Sequence, residues 1–204
     1  MQDVLLKTSR IQWWEPLVWL LAFMGPWLFP HHALIINEIA IVALFAVSLD
    51  LVLGFSGVVS LGHASFLGFG AYTAALFAKW IHPDPLLGLA VGTLAACVLG
   101  ALCSATILRG SDLTRLMVTL GMALILFELA NKFDGLTGGS DGLQGVMMGP
   151  VLGRFEFDLM GQVAASYSLT VLLALFFLAR RLVHSPFGAT LKAVRDNQIG
   201  RAHV

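Results

Sequence analysis

The chain has 204 residues, of which 58% are hydrophobic and only 12% charged, against about 25% charged residues in soluble domains. A soluble domain of this size would need far more polar surface, so the composition excludes one and indicates an integral membrane protein. Twelve basic and twelve acidic residues give a net charge of zero, which argues against a nucleic-acid partner.

Six apolar segments approach the roughly 20 residues that a helix needs to cross a bilayer core. In chain order they are residues 13–29, 33–53, 64–81, 86–107, 113–130 and 165–182. The first is the least regular, because Glu15, Pro16 and the pair Gly25-Pro26 interrupt it. We predict an all-α, polytopic membrane protein with about six spans in this chain.

The distribution of lysine and arginine predicts the orientation in the membrane, since cytoplasmic loops carry an excess of both. An N-terminus in the cytoplasm places nine basic residues inside and three outside. The nine are Lys7, Arg10, Arg109, Arg115, Arg180, Arg181, Lys192, Arg195 and Arg201, and the three are Lys79, Lys132 and Arg154. We therefore expect a multi-pass membrane protein with its N-terminus in the cytoplasm.

A run of glycine, serine and histidine interrupts apolar sequence at residues 54–65. It predicts a broken helix or a re-entrant turn, which is tolerated at membrane depth only where protein or a water-filled cavity surrounds it. Asp50 lies just before the run, and Ser60 and His63 lie in it. These three are candidate residues of a solute path, with helix capping near the cytoplasmic face as the alternative for Asp50.

Two predicted helices carry small residues at regular spacing, which lets helix backbones approach closely in lipid. The stripe of the fourth span is Gly88, Gly92, Ala96, Gly100 and Ser104, and that of the third is Ser60, Ala64, Gly68, Ala71 and Ala75. We interpret both as helix-packing seams rather than as the lining of a pore.

The segment 131–164 is a long glycine-rich loop that the topology places on the outer side of the membrane. Loops of this length are usually functional or disordered, and alternating apolar residues favour an ordered structure here. Gly138, Gly139, Ser140 and Asp141 are further path candidates. The run 138–142 also matches G-x-S-x-G, but a hydrolase nucleophile elbow needs a strand before the serine and a helix after it.

The sequence contains no G-x-x-x-x-G-K-[ST] phosphate-binding motif. The histidines offer no facing pair at bilayer depth for a haem, and the two cysteines alone make a poor metal site. We predict no catalytic residue, no metal and no cofactor bound by this chain, which is therefore not expected to be an enzyme.

Four blocks of the sequence, in order, resemble the permeases of ABC importers for branched-chain amino acids, a family that also serves urea and short amides. The blocks are residues 51–75, Leu108-Arg-Gly110 followed by Thr119-Leu120, residues 136–143 and residues 185–197. The glycine-rich block is similar to that of the longer of the two permease subunits in such systems.

The resemblance implies a heteromeric importer made of a second permease subunit, two ATP-binding subunits that hydrolyse ATP, and a periplasmic substrate-binding protein. The cytoplasmic segment 183–198 resembles the one that docks on the ATPase, and its basic amphipathic helix suits a cleft on a partner. A plain interfacial helix is the alternative. The implied coupling residues are Ser185, Pro186, Phe187, Gly188, Leu191, Lys192, Val194 and Arg195.

Permeases of this family continue for several more spans, whereas this chain stops soon after the coupling segment. Its last residues, 199–204, do not resemble the family and match what a common sequencing adapter encodes. We expect a single permease domain over 1–204, truncated at its C-terminus, whose native sequence ends at Gln198. An ATP-independent channel or secondary transporter, the alternative from another class, predicts inverted repeats or several charges at mid-bilayer, and neither is visible.

Overall fold

The computed structural model describes residues 13–55, 57–107 and 112–201. Several sequence-based predictions lie outside this part of the chain: the basic residues Lys7, Arg10 and Arg109, the block Leu108-Arg-Gly110 and the end of the expected non-native tail, 202–204. The side chain of Val194 also lies outside the description.

Long helices occupy all six predicted spans. They are α1 (Glu15–Leu28), α2 (Ala33–Asp50), α3 (His63–Trp80), α4 (Pro85–Ile107), α5 (Asp112–Lys132) and, after the short α6 (Asp134–Thr137), α7 (Gln162–Val183), with α8 (Pro186–Arg201) following. A π-helical turn, Leu51–Phe55, continues α2, and 3-10 turns lie at Pro30–His32 and Gly139–Asp141. The described residues form no strand beyond one isolated bridge between Val151 and Phe155. The all-α prediction is confirmed.

Four helical stretches of the described chain are long and apolar enough to cross a membrane. They are Pro30–Phe55, Pro85–Ala105, Leu113–Lys132 and Gln162–Val183. Of the other two predicted spans, α1 has only 14 residues, and α3 has 18 residues with His63 at its start and Lys79 near its end. The crossing of the membrane by α1 and α3 therefore stays a prediction.

The long helices bury small side chains and expose large apolar ones. Ala33, Ala40, Ala78 and Ala165 are at most 5% exposed, whereas Leu94, Leu102, Ile125 and Leu178 are more than 60% exposed. Large apolar surfaces of this extent are rare on soluble monomers. Burial of small residues is what close helix packing in lipid requires, since lipid can cover the large ones.

The chain divides into two compact units, of which the first comprises Met1–Gly57 and Asp158–Val204. Its core is formed by Ala40 of α2 with Leu169 and Leu172 of α7, and the ring of Trp19 in α1 packs 5.6 Å from that of Phe176. Asn37, a polar residue inside a predicted span, accepts a hydrogen bond of 2.5 Å from Ser168 across the same helix pair. Helix packing thus satisfies its polar group.

The second unit, Val58–Phe157, contains α3, α4, α5 and α6. In it α3 and α4 cross so closely that a Cβ atom on Gly92 would lie 2.6 Å from the carbonyl oxygen of Gly70 and 3.1 Å from Cβ of Ala74. The predicted α4 seam is confirmed at Gly92. A Cβ atom on Gly100 or Gly68 would meet nothing within 4 Å.

The predicted face of α3 through Gly68 does not meet α4, since Gly70 and Ala74 make the close approach. Residues two apart on a helix point to different sides, and sequence spacing alone did not distinguish the two faces. The single permease domain expected over residues 1–204 is not tested by these helix contacts and stays a prediction.

Candidate path and coupling residues

The predicted interruption near residues 54–65 is present. Helical structure ends with the π-helical turn at Phe55 and resumes at His63, and residues 57–62 are not helical. We call residues 57–62 the break. Asp50 is exposed and is the last α-helical residue of α2, but the π-helical turn continues the helix beyond it. Asp50 therefore does not terminate this helix.

The end of the break is fixed to α5 through Thr119. The backbone N–H of Leu61 donates to Oγ1 of Thr119 at 3.2 Å, and this hydroxyl donates in turn to the carbonyl oxygen of Leu116 at 3.1 Å. Thr119 is 1% exposed, and both capacities of its hydroxyl are used, as a buried hydroxyl requires. A Cβ atom on Gly62 would lie 2.4 Å from the carbonyl oxygen of Thr119, so only glycine fits there.

Thr119 was not among the candidate path residues, although it belongs to one of the blocks that carry the family resemblance. Its position in that block was the available signal. The sequence could not indicate that the hydroxyl is buried, nor that its partner is 58 residues away.

Ser60 and His63 lie at the break, as predicted. The hydroxyl of Ser60 accepts the N–H of Gly62 at 3.3 Å, and Ser65 donates to the carbonyl oxygen of Gly62 at 2.6 Å. His63 is half-buried and opens α3. Ser60 thus shapes a local turn that leads into α3, and its contact with a solute stays a prediction.

The glycine block forms a tight turn beyond α6. Gly138 has a left-handed φ of 79°, and a Cβ atom there would lie 2.0 Å from the carbonyl oxygen of Gly142. A Cβ atom on Gly139, which is buried, would lie 2.2 Å from a carboxylate oxygen of Asp134. Gly138 is thus required by a close backbone approach, and Gly139 has a left-handed φ of 56°, which also favours glycine.

Ser140 and Asp141 are exposed on this turn, and the Ser140 hydroxyl lies 3.5 Å from a carboxylate oxygen of Asp141. The chain before Ser140 is the helix Asp134–Thr137 and not a strand. A nucleophile elbow needs the strand-to-helix turn of an α/β sheet, so the G-x-S-x-G match has no elbow geometry here.

The two groups of path candidates in the second unit are attached to α5 at two distant points. The break bonds to Thr119, whereas the chain leading into the glycine turn bonds through the Thr137 hydroxyl to the carbonyl oxygen of Ala130. Eleven residues of helix separate the two attachment points by about 16 Å at 1.5 Å per residue. The structure therefore does not bring Ser60 and His63 together with Gly138–Asp141.

Residues 144–149 of the glycine-rich loop are bonded to the end of α3 and to the connection between α3 and α4, in agreement with the predicted order. Lys79 donates to the carbonyl oxygen of Gln144 at 3.0 Å, and the N–H of Gly149 donates to that of Pro83 at 2.7 Å. Met147, by contrast, is 83% exposed.

The predicted coupling segment begins with a sharp turn between α7 and α8. Ser185 donates to the carbonyl oxygen of Leu182 at 2.5 Å and accepts the N–H of Gly188 at 3.4 Å. Gly188 is buried, and a Cβ atom there would lie 2.2 Å from the carbonyl oxygen of Val183. Both residues set the angle at which α8 leaves α7.

The predicted coupling residues of α8 differ in how far they are exposed. Gly188, Leu191 and Arg195, spaced three and four apart, face the chain itself, and the first two line an apolar cavity of about 130 Å³ with residues of the π-helical turn and of the end of α7. Pro186, Phe187 and Lys192 are exposed, with Phe187 at 56%. Phe187 is thus a large apolar side chain that its own chain leaves open.

Residues 33–202 match a protein family described as the permease component of branched-chain amino acid transport systems. The chain belongs to this family. The matched region includes the break, Thr119 and the segment from Ser185 to Arg195, so the candidate path and coupling residues lie in family sequence.

Two curated relatives carry the name high-affinity branched-chain amino acid transport system permease protein LivM. The chain is 25% identical to the protein of Escherichia coli (strain K12) over 177 residues and 26% identical to that of Salmonella typhimurium (strain LT2) over 178 residues. Each alignment covers 76% of this chain and 42% of the relative, so the chain spans about two fifths of their length. No solved structure matches the chain. The chain is thus a multi-pass membrane protein of a transport-permease family.

Proposed function

We propose that this chain forms part of the permease of an ABC importer that moves branched-chain or related amino acids into the cytoplasm. The observation that carries the proposal is the family match over residues 33–202. The two relatives named for high-affinity branched-chain amino acid transport support the solute class.

Partner subunits hydrolyse the ATP. In support, the sequence has no phosphate-binding loop of the G-x-x-x-x-G-K-[ST] type, and α8 leaves Phe187 exposed at its first turn. An exposed aromatic side chain is a typical anchor of a protein interface. The ATP-binding subunit receives Phe187 and the exposed side of α8 in a cleft. The complete importer also contains a second permease subunit, a second ATP-binding subunit and a periplasmic substrate-binding protein.

The chain lies in the bacterial inner membrane with its N-terminus and α8 in the cytoplasm and the glycine-rich loop in the periplasm. The excess of lysine and arginine on one side of the predicted spans supports this orientation.

Uptake into proteoliposomes tests the proposal. The complete importer is reconstituted with ATP inside, and uptake of leucine, isoleucine, valine, urea and acetamide is measured with the binding protein outside. ATP-dependent uptake of a branched-chain amino acid is the expected result. Uptake of urea or acetamide alone would change the solute class, and uptake that needs no ATPase would overturn the importer assignment.

The docking role of α8 has its own test. Phe187→Ala should reduce co-purification of the ATP-binding subunits, because it removes the exposed anchor. Phe155→Ala is the matched control, since Phe155 is 57% exposed against 56% for Phe187 and lies in the glycine-rich loop. Equal co-purification of both variants would argue against docking through this side of α8.

A further inference from the structure

In the first unit α8 also contacts the end of α2, through residues that lie closer to its C-terminal end than the exposed Phe187. The last carbonyl groups of a helix have no partner within the helix. The Arg195 guanidinium donates a hydrogen bond to one of them, the carbonyl oxygen of Gly54. A cation at a helix C-terminus is also favoured by the helix dipole.

A second cation of α8 contacts Phe55, the residue after Gly54 in the π-helical turn. The ammonium group of Lys192 lies 4.8 Å from the centre of the Phe55 ring, a cation–π contact. Lys192 and Arg195 are three residues apart, which places them as neighbours on the helix surface. Two side chains of α8 thus hold two consecutive residues, Gly54 and Phe55.

The start of the break is shaped around Arg195. Gly57 has a left-handed φ of 67°, and a Cβ atom there would lie 2.6 Å from Cγ and 3.0 Å from Cδ of Arg195. The aliphatic part of Arg195 therefore packs directly on the backbone of Gly57. A residue with a side chain would push the two apart.

The segment that α8 holds is not ordinary helix. Leu51–Phe55 is π-helical, a rare conformation that occurs mostly as single turns and often at functional sites. The apolar cavity of about 130 Å³ lies between this turn, the end of α7 and the inner side of α8. A close-packed interface would resist a displacement of α8. The cavity at this interface leaves room for α8 to shift.

We infer that Arg195 is a positioning residue that links α8 to the break, so that displacement of α8 by the ATP-binding subunit moves Gly54, Phe55 and Gly57. This inference rests on the proposed function and assigns different roles to two groups of residues in α8. Phe187 and its neighbours bind the partner, and Arg195 with Lys192 transmits the movement to the residues at which α2 gives way to the break.

The test uses the complete importer with Arg195→Gln, which keeps a polar side chain but removes the guanidinium, and with Arg181→Gln as the control at an exposed arginine. ATP-binding subunits should co-purify normally with both variants. For Arg195→Gln the amino acid taken up per ATP hydrolysed should fall by about tenfold, the size expected when a coupling element is broken. Arg195→Lys should restore part of it.

A structural measurement accompanies the transport assay. Backbone amides of residues 51–57 should exchange hydrogen faster in Arg195→Gln than in the unmodified permease, while amides in the middle of α7 should not change. An unchanged ratio of uptake to hydrolysis in Arg195→Gln, with unchanged exchange at 51–57, overturns the inference.

Gly57→Ala provides a second route if Arg195→Gln does not assemble. It should also lower uptake per ATP, since its methyl group displaces the Arg195 side chain. Gly153→Ala is the matched control, because Gly153 has the same φ of 67° and a methyl group there would meet nothing within 4 Å. Equal uptake per ATP in the two variants overturns the inference. A complete unmodified importer that shows no ATP-dependent uptake would instead refute the proposed function, so the two failures are distinct.

Discussion

Arg180, in the last turn of α7, forms an ion pair with Glu15, in the first turn of α1. Both side chains are largely buried, at 18% and 13% exposure. The pair holds the beginning of α1 beside the end of α7. With an even number of membrane crossings, the start of the first span and the end of the last lie on the same side of the membrane. The six predicted spans agree with this contact.

Arg180→Gln should lower the free energy of unfolding by about 1–3 kcal/mol, because it leaves the Glu15 carboxylate largely buried without this cation. Arg181→Gln, at an exposed neighbour, should change it by less than about 0.5 kcal/mol. Unfolding in mixed micelles measures both. A double-mutant cycle with Glu15→Gln should give a coupling energy above about 0.5 kcal/mol, and additive effects would contradict the pair.

Gly92→Ala should destabilise the packing of α3 on α4. Its methyl group would lie 2.6 Å from the carbonyl oxygen of Gly70, and overpacking of this kind costs about 1–3 kcal/mol. Gly100→Ala is the matched control in the same helix, where a methyl group meets nothing within 4 Å. Both variants gain the same helix propensity, so their difference in thermal unfolding reports the contact. Equal stability would contradict the crossing at Gly92.

Thr119→Val should destabilise the second unit by about 0.5–1.5 kcal/mol, since it keeps the shape of the side chain but removes the acceptor of the Leu61 N–H. Thr93→Val serves as control, because Thr93 is exposed and its hydroxyl bonds only to the carbonyl oxygen of Leu89 within its own helix. Unfolding and amide exchange at Leu61 measure the effect. Unchanged exchange there would show that Thr119 does not hold the break.

The start of α7 should depend on pH through Asp158. Its carboxylate accepts the N–H of Val163 at 2.9 Å and that of Gln162 at 3.1 Å, and these bonds lower the pKa of Asp158 below its ordinary value, against the opposing effect of burial. Because the folded-state pKa is lowered, the stabilisation is complete above the unfolded pKa of about 4 and is lost as the pH falls through the lower folded value.

Asp158→Asn should therefore reduce the loss of stability between pH 7 and pH 3. The exposed residue Glu156 provides the control, and Glu156→Gln should leave that loss nearly unchanged. Thermal unfolding at the two pH values is the measurement. The same loss in Asp158→Asn as in the unmodified chain would contradict a capping role for the carboxylate.

Gly138→Ala should open the glycine turn and increase proteolytic cleavage within residues 138–145, because its methyl group would lie 2.0 Å from the carbonyl oxygen of Gly142. Gly145→Ala is the control, since Gly145 also has a left-handed φ, 73° against 79°, but has nothing within 4 Å of an added methyl group. Both carry the backbone strain of about 1–2 kcal/mol that a side chain meets in this conformation. Equal cleavage of the two variants would show that backbone strain, and not the contact with Gly142, opens the turn.

The sequence by itself determined the class of the protein, the positions of its long helices and the interruption after α2. The predicted spans 33–53 and 86–107 correspond to α2 with its π-helical turn, Ala33–Phe55, and to Pro85–Ile107. Such features are local, because the length of an apolar run and the presence of glycine or proline depend on adjacent residues.

Only the tertiary structure decided which sides of the helices meet. Gly70 and not Gly68 approaches Gly92, and Thr119 and Arg195 hold residues 58 and 141 positions away in the chain. In a soluble protein an amphipathic pattern would identify the packed side of each helix. Helices in lipid are apolar on the packed side and on the lipid side alike, so their sequences carry little information about which residues are in contact.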